Sequence, residues 1–477
     1  MKYIKIVLKI ILSLLLIITI TIVVLLVVDV NNTSYLNIKN NPELGENSYL
    51  ITNINIVPMS TDTILTNKTI FVKNGIIKNI DDSIVMESIE VIDGENKFIS
   101  PGLIDMHTHV WDKQELGLYL ANGVTAIRNL WGYSMHLRIK ERLENNKMIG
   151  PMFFTSSPKL TSGQDYGDDK VQVNTPEEAK NLVIEYKKRG FDFIKIYAGL
   201  KEDLFQAIIE QSKESDISII AHPSREIPYL NQFHPQIASI EHSEEIVQQA
   251  LKYQLDSLKI EPIIKKFVST NKSFCPTLTG YYKIFEMVES DETILKSNTV
   301  HYINPLIQKV DSKAQYDRWA SEKEYNSSIT KNIYKQHQFH LYILKRMHEE
   351  GVNIICGTDA GIGITAPGYS IHQELAFYHE AGMSNFEALK TATINPTKTH
   401  KDFEQMGSIE NGKLANFIVT TNNPLENLSE LSKPEWVMVN GRKINKKTLN
   451  KFTDKARDRS NLIVTALRYA EYMLLEK

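Results

Sequence analysis

The sequence predicts an α/β protein organised as a (β/α)8 TIM barrel, with a small β-sandwich built from both flanking segments and an N-terminal transmembrane helix. Between about residues 101 and 400, eight short apolar segments alternate with longer amphipathic ones, as in successive βα units. Both flanks are instead rich in β-branched residues and contain Asn-Gly or Asp-Gly turns. A doubly wound sheet is the alternative for the central region.

Composition excludes several classes of protein. The chain has 477 residues, of which 42% are hydrophobic and 23% charged, so wholesale disorder is not expected. The net charge of −3 lacks the basic excess that nucleic-acid binding requires. Cys275 and Cys356 lie in apolar stretches and are predicted to be buried thiols rather than a disulfide.

Residues 1–30 are predicted to be a membrane anchor. The apolar run Ile10–Val28 would form a helix of ~28 Å, about the thickness of the bilayer hydrocarbon. A cleaved signal peptide is the alternative, but no small-x-small cleavage pattern precedes Asp29. The run follows three lysines, Lys2, Lys5 and Lys9. The positive-inside rule therefore places the amino terminus in the cytoplasm and the rest of the chain on the extracytoplasmic side.

The remaining chain divides into four parts. Residues 31–46 are a polar linker, residues 47–100 and 403–450 form the composite β-sandwich, residues 101–402 form the barrel, and residues 451–477 form a C-terminal helix packed on the outside. The stretch Lys283–His348 exceeds one βα connection and is expected to add helices over the barrel mouth. The candidate barrel strands are Leu103–His109, Val124–Asn129, Met152–Thr155, Phe193–Tyr197, Ile217–His222, Ser239–His242, Ser273–Leu278 and Asn353–Asp359.

Several of these strands end in side chains that bind metals. His107 and His109 are two residues apart, so in a strand both imidazoles point to the same face. His222, His242 and Asp359 each end another apolar strand, where barrel ligands gather. One such pair is weak evidence for a metal site, but repeated placement at strand ends strengthens it.

Lys195 is unusual because it lies among the apolar residues of Phe193–Ile196. One interpretation is a lysine paired with a carboxylate inside the barrel. The other is that desolvation favours the neutral amine, which can react with carbon dioxide to form a carbamate. A carbamate is an anionic, two-oxygen ligand able to bridge two cations.

Together these segments resemble the amidohydrolase superfamily, in particular its imidazolonepropionase-like and prolidase-like branch. The resemblance extends from about Leu50 to Asn445. It is carried by Pro101–His109, Ile194–Ile196, Ala221–His222, Ser239–His242, Gly357–Gly361 and Glu387–Pro396. It implies a binuclear site of two divalent metal ions, with zinc the first expectation, and with the ligands His107, His109, carbamylated Lys195, His222, His242 and Asp359.

The function expected from this resemblance is hydrolysis of a C–N amide bond in a small molecule, either a cyclic amide or a dipeptide. A metal-bridging hydroxide would attack the carbonyl, and Asp359 would shuttle its proton to the leaving nitrogen. Lactone or phosphotriester hydrolysis at the same centre is one alternative. Others are a non-catalytic, membrane-tethered binding barrel and a barrel that recruits a partner to the membrane. Homo-oligomers are common in the family.

Three further residues are candidates for substrate binding. Arg128 could hold a substrate carboxylate, although a structural ion pair is the more common role. Tyr197 could donate a hydrogen bond, with a core tyrosine as the alternative, and His372 lies in a segment that resembles one near the substrate in the family. The other histidines are predicted to be surface or packing residues, among them His136, His234, His301, His337, His340, His348, His379 and His400.

The chain also departs from the family pattern. The loop Leu160–Asp169 lacks the Gly-Gly-His that relatives often have there, which leaves the substrate class open. Pro223 follows His222 directly, where a small residue is common. Asn416 replaces a usual aspartate, at a position expected to lie far from the metal ligands.

Overall fold

The computed structural model describes residues 2–41, 44, 47–163 and 167–477. Gln164, Asp165 and Tyr166, in the loop predicted to differ from the family, lie outside the described residues. The first element is α1 (Lys2–Asn32). Within the described chain, its segment Tyr3–Asn32 is the one helix long and apolar enough to cross a bilayer, with a mean hydropathy of 3.3. This segment is compatible with a membrane anchor or a signal sequence.

The remaining elements follow the predicted order of β-rich flank, βα region and β-rich flank. The strands are β1 (Tyr49–Ile56), β2 (Leu65–Lys73), β3 (Ile76–Asp81), β4 (Glu90–Asp93), β5 (Phe98–Pro101), β6 (Leu103–Thr108), β7 (Val124–Asn129), β8 (Met152–Thr161), β9 (Lys170–Gln172), β10 (Phe193–Ile196), β11 (Ser218–Ala221), β12 (Ile237–Glu241), β13 (Ser273–Cys275), β14 (Phe417–Thr420), β15 (Trp436–Val439) and β16 (Arg442–Asn445). The helices after α1 are α2 (Gln114–Ala121), α3 (Ser134–Glu144), α4 (Pro176–Arg189), α5 (Glu202–Glu214), α6 (Ser243–Glu245), α7 (Glu261–Thr270), α8 (Leu278–Glu289), α9 (Pro305–Ile307), α10 (Lys313–Tyr325), α11 (Ile329–Glu349), α12 (Ser370–Glu380), α13 (Asn385–Thr391), α14 (Lys446–Arg457) and α15 (Leu462–Leu475).

The central sheet is a parallel barrel, as predicted. Its strands follow the order β6, β7, β8, β10, β11, β12 and β13, and β9 pairs with β8 on the side. Residues 353–360 occupy the eighth position and close the barrel through isolated bridges, Phe274 with Ile354 and Thr108 with Ala360. The Met106 amide also donates to the Cys356 carbonyl at 2.8 Å. The eighth predicted strand therefore lies in the expected place, although its backbone pairing is too irregular to form a continuous ladder.

A second sheet combines both flanks of the barrel, which confirms the composite module. Its main path is β16, β15, β14, β5, β1, β2 and β3, and β4 pairs with β1. The N-terminal and C-terminal segments meet where β14 pairs antiparallel with β5. The strands thus form one connected sheet rather than two separate ones, with Ile51, Ile99 and Phe417 in its buried core.

The C-terminal region differs from the prediction. Two helices, α14 and α15, replace the single helix expected over 451–477. α14 packs against α2, with the Phe452 ring beside Gly117. α15 does not pack only on the outside, because Ala466 and Tyr469 line the cavity at the barrel mouth. The predicted additional helices are present between α8 and α11, and Leu306, Ile307 and Val310 from this region also line the cavity.

Candidate metal centre

One cavity of about 600 Å³ lies at the carboxyl ends of the barrel strands. All the residues that the sequence suggested as metal ligands line it. They are His107, His109, Lys195, His222, His242 and Asp359. Each lies at or just beyond the end of its strand, which is why distant stretches of sequence meet at one rim. Cys275 and Cys356 are both buried and unbridged, as expected.

The tightest cluster of donor atoms contains His107, His109 and Asp359. The Oδ1 atom of Asp359 lies 2.8 Å from His109 Nε2 and 3.2 Å from His107 Nε2. Burial alone would raise the pKa of Asp359, but the imidazoles of His107 and His109 outweigh it and hold this pKa well below its usual range. Burial also lowers the pKa of His109 to about 3, so its ring is neutral near neutrality. A neutral imidazole and a carboxylate are the protonation states that bind a metal.

Backbone strain accompanies two of these ligands. His242 has a φ of 73° and Asp359 a φ of 59°, both in the left-handed region that non-glycine residues rarely adopt. Thr277, which contacts His242, has a φ of 50°. Such conformations cost of order 1–3 kcal/mol each and concentrate at functional sites. The strain therefore supports a functional role for this rim.

His107 is supported from below by a buried ion-pair network that the sequence analysis missed. Its Nδ1 lies 2.7 Å from Glu241 Oε2, and Arg128 Nη2 donates to Glu241 Oε1 at 3.0 Å. Burial alone would raise the pKa of Glu241, but the Arg128 charge and the His107 hydrogen bond lower it to about 2. Glu241 thus holds the His107 ring so that Nε2 faces the cavity. The sequence feature that could have identified Glu241 is its position next to His242, at the end of β12.

The prediction that Arg128 contacts the substrate is wrong. Its side chain is completely buried, and Nε donates to the Met106 carbonyl at 2.7 Å. It does not line the cavity, since the carboxylate of Glu241 holds the guanidinium inside the barrel. The alternative role of a structural ion pair is the one observed.

Lys195 projects into the cavity without a compensating contact. Its Nζ is buried and has no hydrogen-bond partner among the residues that the structure describes. Burial lowers its pKa to about 8, although the charge of Glu241 opposes this shift. A buried cationic nitrogen without partners is unfavourable, so this position favours an uncharged or chemically modified amine.

His222 and His242 complete the donor set on the other side of the cavity. Their ring centroids are 4.5 Å apart, and His242 lies 4.8 Å from His107. The Thr277 hydroxyl is 2.9 Å from His242 Nδ1, and Glu245 Oε1 is 3.3 Å from His222 Nε2. Burial lowers the pKa of both His222 and His242, which keeps their rings neutral.

Two cationic side chains that the sequence analysis did not identify also line the cavity. Lys159 and Lys170 both pair with Asp169, the former at 2.8 Å. Lys170 Nζ lies 4.7 Å from the centre of the Tyr197 ring, and Tyr197 also lines the cavity. Only the observed length of β8, which continues to Thr161, and the short strand β9 bring these lysines to the rim.

His372 does not reach the cavity. Its Nε2 lies 3.0 Å from the carbonyl oxygen of Asn122, beside the start of β7, and the residue is absent from the cavity lining. A direct contact between His372 and a substrate is therefore inconsistent with this fold. Asn416 is also remote, since its amide contacts Met152 and the Asn440 backbone in the flanking sheet.

The donor set fits divalent metal ions. His107, His109 and Asp359 offer ligand atoms within 4.8 Å of one another. The ring nitrogens His109 Nδ1 and His222 Nδ1 and the Lys195 amine are buried without partners among the described residues. Imidazole and carboxylate donors suit zinc, and also manganese, iron or cobalt. The fold and site therefore define a TIM-barrel protein with a candidate metal centre at its catalytic face.

Part of this chain is similar in sequence to a protein-family model and to two curated proteins. Residues 304–444 match the model of the amidohydrolase family. Dihydroorotase from Carboxydothermus hydrogenoformans is 44% identical over 63 residues, and 5-methylthioadenosine/S-adenosylhomocysteine deaminase from Dictyoglomus turgidum is 42% identical over 62 residues. Each alignment covers 13% of this chain and 14% of the relative, so the chain matches only a small part of the length of these curated proteins.

Solved structures resemble nearly the whole fold. Bottromycin amidohydrolase superposes with a TM-score of 0.72 at 17% identity, covering 90% of this chain and 96% of that one. A Xaa-Pro dipeptidase gives 0.64 at 19% identity, covering 83% and 100% of the respective chains. A protein described as a prolidase, from Bifidobacterium longum, gives 0.64 at 23% identity, covering 86% and 98%. These solved structures share the fold of this chain, and residues 304–444 match the amidohydrolase family model.

Proposed function

We propose that this protein is a metal-dependent hydrolase that cleaves a C–N amide bond in a small molecule. The observation that carries the proposal is the convergence of His107, His109, Lys195, His222, His242 and Asp359 on one cavity, with several of their donor atoms unpartnered. The family match and the amide-cleaving proteins among the structural neighbours support the same reaction class.

Two divalent cations would be held by these six side chains, and would polarise the substrate carbonyl and lower the pKa of an attacking water. The chain's own residues supply the remaining requirements. Asp359 is ionised and faces the cavity, so it can accept the proton of the attacking water and return it to the leaving nitrogen. Glu241 and Thr277 fix the rings of His107 and His242.

Lys195 is proposed to act as a carbamate. Its neutral amine would add to carbon dioxide, forming an N–C bond and releasing one proton to give an anionic N-carboxylate. Burial favours the neutral amine that this reaction needs, since it lowers the Lys195 pKa to about 8. The product would replace an unpartnered buried amine with an anionic ligand that two cations neutralise.

Lys159 and Lys170 are the proposed contacts for an anionic group on the substrate. They take the role first considered for Arg128, because both line the cavity whereas Arg128 does not. Both lysines pair with the single carboxylate of Asp169, so Lys159, Lys170 and Asp169 together carry one net positive charge. A substrate with a carboxylate, such as a dipeptide or a cyclic amide acid, fits this charge. Lactones remain an alternative because the same centre would also attack an ester carbonyl.

The test is metal analysis of the purified full chain, combined with a hydrolysis screen over dipeptides, cyclic amides and lactones. Matched substrates with the carboxylate free or amidated would report on the role of Lys159 and Lys170. We expect Lys195→Ala to lose bound metal and to reduce turnover by at least ~10²-fold, since the metals are needed to activate the water. Short carboxylic acids should restore part of both.

Lys188→Ala is the matched control, since Lys188 is an exposed lysine on α4. It should keep full metal content and activity. Undiminished metal content in Lys195→Ala would refute the carbamate ligand. A metal-loaded protein that cleaves only lactones would move the assignment from amides to esters.

Membrane attachment by α1 is part of the proposal. The length of the apolar run in α1 supports an uncleaved anchor. Lys2, Lys5 and Lys9, which precede this run, support a barrel on the extracytoplasmic side.

A further inference from the structure

Helix α15 carries an apolar stripe on its outer surface. Ile463 is 55% exposed and Leu474 is 82% exposed, while Ala470 is exposed and Leu467 half-buried. Their spacing of four, three and four residues places all of them on one face of the helix. The opposite face is buried through Thr465 and Tyr472. α15 is thus amphipathic, with its apolar outer face uncovered in the described structure.

Part of the apolar helix α1 packs against the folded domain. Ile22, Leu25 and Leu26 are half-buried, whereas their neighbours on the other faces of α1 are exposed. The same face continues to Asp29 and Thr33, which are buried. α15 is in contact with α1. Because Ile22, Leu25 and Leu26 lie inside the apolar run that would cross the bilayer, the contact between α1 and α15 would hold α15 close to the membrane surface.

The surroundings of this contact are those of a membrane interface. Lys113, next to the end of α1, interacts electrostatically with Asp29 and lies near Arg138, Arg142 and Arg468. Arg138 and Arg468 share Glu471 of α15, at 2.7 and 3.7 Å. A cluster of basic side chains beside an apolar helix end can pair with the phosphate groups of lipid headgroups.

We propose that α15 is an interfacial helix whose stripe Ile463, Leu467, Ala470 and Leu474 rests in the lipid bilayer beside α1. The occupant of this surface is the membrane, because the stripe is continuous with the apolar anchor and is bordered by the basic cluster. Ala466 and Tyr469 of the same helix line the catalytic cavity, so the bilayer surface lies directly behind one wall of the site. This inference rests on the proposed anchoring by α1.

The experiment is lipid quenching in the full chain, reconstituted into phosphatidylcholine/phosphatidylglycerol vesicles that carry nitroxide-labelled lipid. A fluorophore is attached to one introduced cysteine at a time, and the two native cysteines are buried. Leu474→Cys tests α15. Leu16→Cys, 61% exposed on α1, is the positive control, and Val268→Cys, 47% exposed on α7, is the soluble-surface control. All three replace exposed side chains, so the fold should be retained.

We expect the label at position 474 to be quenched about as strongly as that at 16, and the label at 268 to be unaffected. Quenching at 16 without quenching at 474 would overturn this inference and leave the anchor intact. Absence of quenching at both 16 and 474 would refute the anchor as well. A label at 474 that is quenched by labels on other copies, and not by lipid, would assign the stripe to a second copy of this chain.

Discussion

Lys195 is the buried side chain on which the proposed carbamate depends. Its amine lies inside the barrel with no hydrogen-bond partner in the described part of the chain, and burial lowers its pKa to about 8. A lysine in water has a pKa near 10.4 and is almost fully protonated at neutrality. The proposed reaction of Lys195 with carbon dioxide therefore depends on its burial rather than on the residue type alone.

The pH dependence of metal loading follows from this pKa. With a pKa of about 8, the neutral fraction of Lys195 rises from about 3% at pH 6.5 to about three quarters at pH 8.5. At the same concentration of dissolved carbon dioxide, loading of metal-free protein should therefore be roughly 20-fold faster at pH 8.5 than at pH 6.5. Bound metal, measured over time, gives the rate. His109 adds little to this dependence, since its pKa of about 3 keeps it neutral throughout.

The control for this experiment is loading without bicarbonate, which should be slow at both pH values. Equal loading rates at pH 6.5 and 8.5, with dissolved carbon dioxide held equal, would contradict carbamate formation. The same pKa shift affects the stability of the metal-free protein. Between about pH 8 and 10.5, Lys195 is still protonated in the unfolded chain but has lost its proton in the folded protein. Stability should thus rise with pH across that window.

At the scale of elements, the segment that closes the barrel depends on one glycine. A Cβ atom at Gly357 would lie 2.4 Å from Cys275 Sγ and 2.8 Å from His107 Cβ. Gly357→Ala should therefore displace His107, lowering stability by about 1–3 kcal/mol and metal affinity by roughly 10–100-fold. Thermal unfolding and metal titration measure the two effects.

Gly351→Ala is the control that separates the effect of backbone strain on stability from the effect of a displaced ligand on metal binding. Gly351 has a φ of +77° and open space around its Cα, so alanine there adds backbone strain without touching a ligand. Stability should fall by about 1–2 kcal/mol while metal affinity is unchanged. Unchanged affinity in Gly357→Ala as well would show that His107 is not positioned by this contact.

The attachment of α15 depends on a buried ion pair at its start. Arg459 Nη1 lies 3.0 Å from Asp112 Oδ2, and its side chain is 1% exposed. Asn304 also donates to Asp112 at 2.7 Å, which joins the inserted helices to the same point. The roof of the cavity is therefore held by charges rather than by apolar packing alone.

Arg459→Met should leave the Asp112 carboxylate without its cation and destabilise the fold by about 3–5 kcal/mol. Hydrogen exchange should accelerate most in residues 462–475. Arg457→Met is the matched control, because Arg457 is 48% exposed and pairs with Asp454 and Asp458 at the surface. Its cost should stay below about 1 kcal/mol. Similar costs for both variants would contradict the role of the buried pair.

At the scale of the whole molecule, the proposed membrane anchor predicts the side of the membrane on which the barrel lies. Val85 is 88% exposed in the flanking sheet region, and both native cysteines are buried. A Val85→Cys variant in intact cells should react with a membrane-impermeant maleimide, because the positive-inside rule places this region outside. Mass shift of the labelled protein reports the reaction. Labelling only after cell lysis would place the barrel in the cytoplasm.

The sequence by itself determined the barrel, the composite second sheet and the strand ends that carry the candidate ligands. These features have local signals: apolar segments of strand length, turn residues between them, and histidine or aspartate at the point where a strand ends. Parallel strands bring their carboxyl ends to one rim, so residues as distant as His107 and Asp359 meet there without any further information.

Only the tertiary structure decided which charged groups face the cavity and which support it. Arg128 lies at the end of β7 but turns inward, because Glu241 on β12 offers a buried carboxylate at 3.0 Å. Lys159, Lys170 and α15 reach the cavity through a long strand and a distant helix whose positions have no local sequence signal. Which side chain a charged residue pairs with depends on packing between segments that are remote in sequence. Strand periodicity, by contrast, depends on adjacent residues.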